Sequence, residues 1–140
     1  LERASRLPDA RPVMVQVYRA HIALARFDEK TADGIMEDLL AAHSEDSVCL
    51  FEAAQNYAKK IEYLTAIGLY ERSFEKEERR PRFTDELMAV ADIYEIMGDY
   101  RKAAETYGRI IELLEKEWGF TEDTGLKKAR EEQARLLAKA

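Results

Sequence analysis

The sequence is poor in the residues that staple, kink or catalyse. Its 140 residues hold one cysteine, three prolines, six glycines, two histidines and one tryptophan. The single cysteine, Cys49, excludes an internal disulfide, so a reducing compartment, the cytoplasm, is the simpler expectation. On an apolar helical stretch its thiol reads as a buried structural group rather than a nucleophile. Apolar runs fall short of the ~20 residues that a membrane span needs, and the N-terminus has no signal-peptide pattern. His21 and His43 share no metal-ligand spacing with Cys49 or with each other. There is no G-x-S-x-G elbow, no phosphate-cradling glycine loop and no H-E-x-x-H. The chain is therefore not expected to be an enzyme, and no metal or cofactor is expected.

What remains is rich in Ala, Leu, Glu, Lys and Arg, a mixture that favours helix and is too apolar for a disordered chain. The length suits one domain with a core of its own. The chain starts at Leu1 rather than Met, so a piece of something larger is expected. A formal net charge of −6 argues against nucleic-acid binding, which needs cations to neutralise phosphate. From Leu126 onward the balance reverses: Lys127, Lys128, Arg130, Arg135 and Lys139 face only Glu131 and Glu132. A solvated helix face accounts for such a stretch, although it also suits contact with an acidic surface. The mixed run EKEERRPR, residues 75–82, reads as an exposed helix end followed by a loop.

An internal repeat decides the architecture. The segments FDEKTA (27–32), IEYLTA (61–66) and GDYRKA (98–103) share an acidic second position and a final alanine. Those alanines, Ala32, Ala66 and Ala103, are 34 and then 37 residues apart. Ala20, Ala54 and Ala91 each lie twelve residues earlier, and Met36, Tyr70 and Tyr107 each lie four residues later. Glycine destabilises a helix interior by ~1 kcal/mol relative to alanine but takes positive φ readily at a helix end. Asp99 can then cap the next helix, so Gly98-Asp99 divides two antiparallel helices. Phe27-Asp28 and Ile61-Glu62 hold the same place without glycine and encode their turns less strongly. The paired alanines let helix backbones approach closely, while the bulky residues fill the space beside them. Helices are expected near 13–26, 31–43, 47–59, 64–78, 84–97, 100–117 and 124–138.

These columns resemble the tetratricopeptide repeat, a 34-residue helix–turn–helix with the pattern W-x2-L-G-x2-Y…A-x3-F. Leu87, Val90, Ala91, Tyr94, Ala103 and Tyr107 match it in the third repeat, and Leu50, Ala53, Ala54, Tyr57, Ala66 and Tyr70 in the second. The first repeat is degenerate: Gln16, Arg19 and Ala23 replace bulky positions, and Ala20, Ala32 and Met36 hold. The resemblance implies an all-α, right-handed α-α superhelix of about three helix hairpins (13–46, 47–83 and 84–117) with a C-terminal capping helix at 121–140. Residues 1–12, where LERA resembles YERS at 70–73, are expected to end a truncated preceding repeat that Pro8 and Pro12 close. Trp118 and Gly119 should end the third hairpin. Leu126, Ala129, Gln133, Leu136 and Leu137 should form the apolar stripe of the cap, and a homodimer through this helix is the sharper alternative.

In this family the first helix of each repeat lines a concave face where ligands lie. By register the lining would be Met14, Val17, His21 and Leu24; then Val48, Phe51, Gln55 and Lys59; then Asp85, Met88, Asp92 and Glu95. Some members hold a C-terminal carboxylate with Lys, Asn and Arg. Val17, His21, Phe51, Gln55 and Met88 stand at the matching positions, so that clamp is absent here. The implied function is a protein–protein interaction scaffold that takes a peptide or helix of a partner protein in a concave groove, with no nucleic acid and no membrane. The alternative is a sensor or dimerisation segment of a larger transcriptional or signalling regulator. The residues upstream of Leu1 discriminate between the two.

Overall fold

Seven helices make up the described residues, and each lies within two residues of its expected span. In the computed structural model, which describes residues 12–140 and their side chains from Val15 onward, they are α1 (Pro12–Ala25), α2 (Glu29–Ala42), α3 (Ser47–Lys59), α4 (Tyr63–Lys76), α5 (Asp85–Ile96), α6 (Tyr100–Lys116) and α7 (Thr124–Lys139). The half-repeat expected before Pro12 and the side chain of Met14 lie outside the described residues. Pro12 opens α1 as its first helical residue, where a missing N–H costs nothing.

Aspartates set most of the helix starts, by accepting bonds from N–H groups that the first turn leaves unpaired. Asp28 accepts from the Thr31 backbone at 3.2 Å and from the Thr31 hydroxyl at 2.7 Å. Asp46, Asp99 and Asp123 do the same for α3, α6 and α7. The three hairpin turns share one hydrogen-bond pattern. Phe27 N–H reaches Leu24 O and Asp28 N–H reaches Ala23 O; Ile61 and Glu62 repeat this onto Ala58 and Tyr57, and Gly98 and Asp99 onto Glu95 and Tyr94, all at 2.8–3.0 Å. This paired 5→2 and 6→1 closure demands a left-handed residue at the end of the first helix. Gly98 supplies it at φ 80°, whereas Phe27 and Ile61 are forced to φ 63°. A side-chain-bearing residue there costs roughly 1–2 kcal/mol, and a β-branched one is the least suited.

The chain packs as two compact units, the first ending at Lys76 and the second spanning Glu77–Ala140. Length alone suggests one core, but each unit has a core of its own. In the first unit α1 packs on α2, α3 on α4, and α3 also on α1 and α2. Its core includes Val17, Met36, Leu50, Ile67, Tyr70 and Phe74. Ser73, fully buried, donates its hydroxyl to Ser47 O at 2.8 Å while Ser47 donates to Ser73 O at 2.9 Å, a reciprocal tie between α3 and α4. Cys49 is equally buried; burial, and then the charge of Asp46, push its thiol up from the usual range, which leaves it a packing group.

In the second unit α6 packs against both α5 and α7 around Leu87, Val90, Ile110, Leu113, Leu126 and Leu136. The six alanines of the repeat columns are all buried, none above 1% exposure. Leu126, Ala129 and Leu136 form the buried stripe of α7. Gln133 turns its amide onto Ala104 O at 3.2 Å, but Leu137, expected in the stripe, is 55% exposed. One residue past Leu136, a helix has already turned by about 100°, which carries Leu137 off the buried face. The run after α4 is a loop, as its charge pattern implies. Arg82 there holds Glu117 with its guanidinium, and the Trp118 indole N–H donates to Arg82 O at 2.6 Å.

Candidate functional site

The expected lining falls on α1, α3 and α5, and burial sorts it. Val17 is 0% exposed and offers no surface to a partner. It lies three residues before Ala20 on the same buried stripe, so it belongs to the core rather than to a lining. Leu24, Gln55 and His21 are half-buried, and Val48 and Lys59 are exposed. Phe51 is half-buried because its ring packs edge-on against Tyr70, with centroids 5.5 Å apart. That contact gives Phe51 a share in holding α3 to α4.

His21 is the centre of a polar cluster between α1 and α3. With the proton on Nε2 it donates to Glu52 at 3.3 Å, while Nδ1 accepts from the Asn56 amide at 3.3 Å and faces the Lys59 ammonium at 3.4 Å. Asn56 is 1% exposed, and its Oδ1 finds no donor among the described residues. The arrangement fixes the imidazole in one orientation and sets a cation and a carboxylate side by side. Glu52 and Asn56 were not anticipated from the repeat register; their i, i+4 spacing with each other and their helix shared with Lys59 are the only sequence signal for them.

In the second unit the α5 residues meet α7. Arg135 forks onto Glu95 at 3.0 and 2.9 Å and also bonds Glu132 at 2.6 Å. The two guanidinium bonds hold the Glu95 carboxyl below the usual carboxylate range, and the two carboxylates raise the guanidinium in turn. Glu95 is thus already engaged within the unit. Asp85 and Asp92 are exposed. The Asp92 carboxyl is nonetheless pushed up, first by the protein mass around it and then by repulsion from Glu95 and Glu132. Arg130 likewise pairs with Glu115 at 2.9 Å, and Lys139 lies over the Tyr100 ring. Part of the basic tail therefore serves internal contacts.

Among the expected lining residues, Met88 lies in a recess. It borders an open cleft of about 190 Å³ together with Tyr107, Ile110, Leu114 and Ala129, and Thr84, Lys128 and Glu132 also line it. The walls come from three helices, α5, α6 and α7. Burial and then the charges of Asp92, Glu132 and Glu95 push the Tyr107 phenol up, so its hydroxyl stays a neutral donor. An apolar pocket with a few convergent polar groups can seat one large apolar side chain and orient what flanks it. A second recess, of about 280 Å³, lies at the loop between Arg79, Pro81, Phe83 and Trp118. Among the described residues no group of His, Cys, Asp and Glu is placed to hold a metal ion, and no helix is long and apolar enough to cross a membrane.

No protein-family model matches this chain, and no curated protein matches it. Among solved structures it is similar to the crystal structure of the Sgt2 TPR domain from Aspergillus fumigatus, with a TM-score of 0.63 at 19% identity, over 91% of this chain and 81% of that one. The fold is that of a tetratricopeptide-repeat domain.

Proposed function

We propose that this chain is a protein–protein interaction scaffold, and that it takes a peptide or helix of another protein by seating one large apolar side chain in the Met88 cleft. The observation that carries this is the cleft itself: an open, largely apolar recess with Thr84, Lys128 and Glu132 as its few polar neighbours. A buried aliphatic or aromatic anchor in such a recess often carries ~2 kcal/mol or more of binding energy, while surrounding contacts carry little. The helical-repeat fold supports the same reading, since it presents the first helix of a hairpin as a rigid, half-exposed face. In the first unit the exposed or half-exposed groups of α1 and α3, notably His21, Gln55 and Lys59, offer polar contacts to the same kind of ligand. Phe51, although tied to Tyr70, keeps part of its ring open beside them.

Peptides selected from a random displayed library on the wild-type chain test this. They should share one large apolar residue, and Met88→Glu should weaken their binding at least tenfold, about 1.4 kcal/mol, with unchanged helicity. Lys76→Ala, at an exposed helix end, should bind them as wild type does. Equal binding by Met88→Glu would move the partner surface elsewhere.

A further inference from the structure

The wall that α5 gives to the Met88 cleft is charged in one sense only. Its residues, DELMAVADIYEI, hold four carboxylates and no lysine or arginine. Asp85 and Glu86 stand in the first turn, where the positive end of the helix favours acids. Glu95 is taken by Arg135. Asp92 has neither reason for its place. It is exposed, and it makes no hydrogen bond or ion pair with the described residues. Four residues after Met88, it shares that residue's face of α5, about 5–6 Å along the helix.

The cations around the cleft do not answer it. Lys128 lines the recess from α7, one turn before Glu132. Arg135 is forked onto Glu95 and bonded to Glu132, Arg130 is paired with Glu115, and Lys139 lies over the Tyr100 ring. With all of them in place the surroundings of Asp92 are still negative: burial first, then Glu95 and Glu132, push its carboxyl up. Tyr107, a wall of the cleft, registers burial and then the same three carboxylates, against a smaller opposing effect of Arg135. The apolar recess therefore opens beside an uncompensated carboxylate, which a cation brought in by the ligand would complement. We propose that the partner segment carries a lysine or arginine within one turn of its apolar anchor, with the anchor against Met88 and Tyr107 and the cation on Asp92. This deepens the anchoring proposed above and rests on it.

Peptides selected from a random displayed library on the whole wild-type chain supply the probe. Their consensus is synthesised as it stands, and again with its basic residue changed to glutamate. Both are titrated against wild type, Met88→Glu, Asp92→Lys and Glu105→Lys, the last making the same charge change on the exposed face of α6. Asp92→Lys should weaken the consensus peptide at least tenfold with unchanged helicity, and Glu105→Lys by less than about twofold. The glutamate peptide should bind Asp92→Lys more tightly than it binds wild type, a swap that a merely structural role of Asp92 would not produce. A consensus with no basic residue within one turn of its anchor would overturn the inference. So would weakening by Met88→Glu but not by Asp92→Lys, which would leave the anchoring itself intact. Equal weakening by Glu105→Lys would overturn it too, because net charge rather than Asp92 would then attract the peptide. No shared apolar residue among the selected peptides, or undiminished binding to Met88→Glu, would overturn both readings.

Discussion

The turn at Ile61 and the turn at Gly98 close with the same two backbone hydrogen bonds, at the same lengths within 0.1 Å, around opposite kinds of residue. One carries a β-branched side chain at φ 63°, the other carries none at φ 80°. Local preference therefore does not set the geometry of these turns. The helices on either side set it, through the buried alanines that hold each hairpin together twelve residues apart in sequence. Where the turn residue agrees with that geometry, glycine and aspartate make the break visible. Where it disagrees, tertiary packing overrides it and the turn forms at a cost.

The sharpest way to break this comparison is to attack what the hairpins share. Ala103 is fully buried where α5 and α6 pack together. Ala103→Leu forces extra volume between the two backbones, and overpacking of this kind costs ~1–3 kcal/mol. Urea unfolding should show a lower midpoint with an unchanged slope. If the midpoint stays where it is, the alanine column is not the contact that holds the hairpin, and the turn residue regains its importance.

A smaller effect comes from exchanging the turns' residues. A Cβ built at Gly98 meets no atom within 4 Å, so a side chain fits there and any loss belongs to the backbone. Gly98→Ile should lower stability by about 1–2 kcal/mol, the cost of the left-handed conformation that Ile61 already bears. Thermal melts would show it directly. A neutral result would mean that these turns tolerate side chains freely, and Phe27 and Ile61 would then cease to be outliers that call for a reason.

The contrast also explains which parts of the molecule were legible in the sequence. Helix positions were, because apolar spacing, aspartate caps and the alanine columns all state the same hairpin. Gly98-Asp99 announces its turn for the same reason. The left-handed backbone at Phe27 and Ile61 was not legible, since neither residue favours it and only the repeat alignment hints at it. The candidate site was legible in part. Register alone finds Met88, but the cleft needs Tyr107, Leu114 and Ala129 from two other helices. Register also puts Val17 on a lining face, although its closeness to Ala20 on the helix buries it, and it cannot foresee that Arg135, forty residues on, engages Glu95. Pairings across elements are set by packing, and a one-helix pattern carries no information about them.

The second unit supplies a last and smaller contrast, because its loop is held by side chains as well as by backbone. Arg82 donates to the Glu117 carboxylate from its guanidinium and its backbone N–H, and the indole of Trp118 donates to Arg82 O. The bonds from the Arg82 side chain are the main reason the Glu117 carboxyl lies below its ordinary range, against a partial burial that opposes them. A carboxyl lowered in the folded state stabilises the fold above its ordinary value of about 4.3, and that contribution is lost as pH falls through the lowered one. Both side chains are about one-fifth exposed, so solvent screens the pair and the contribution is at most ~1 kcal/mol. Trp118 is the only tryptophan, so its fluorescence reports this clasp alone. Acidification through that range should shift the Trp118 emission toward the red before far-ultraviolet circular dichroism shows any loss of helix. Glu117→Gln should carry the shifted emission already at neutral pH and lack the acid step. If wild type and Glu117→Gln titrate alike, the clasp does not depend on the Glu117 charge, and the loop is held by the Trp118 ring, stacked on Phe120 and tilted against Phe83, instead.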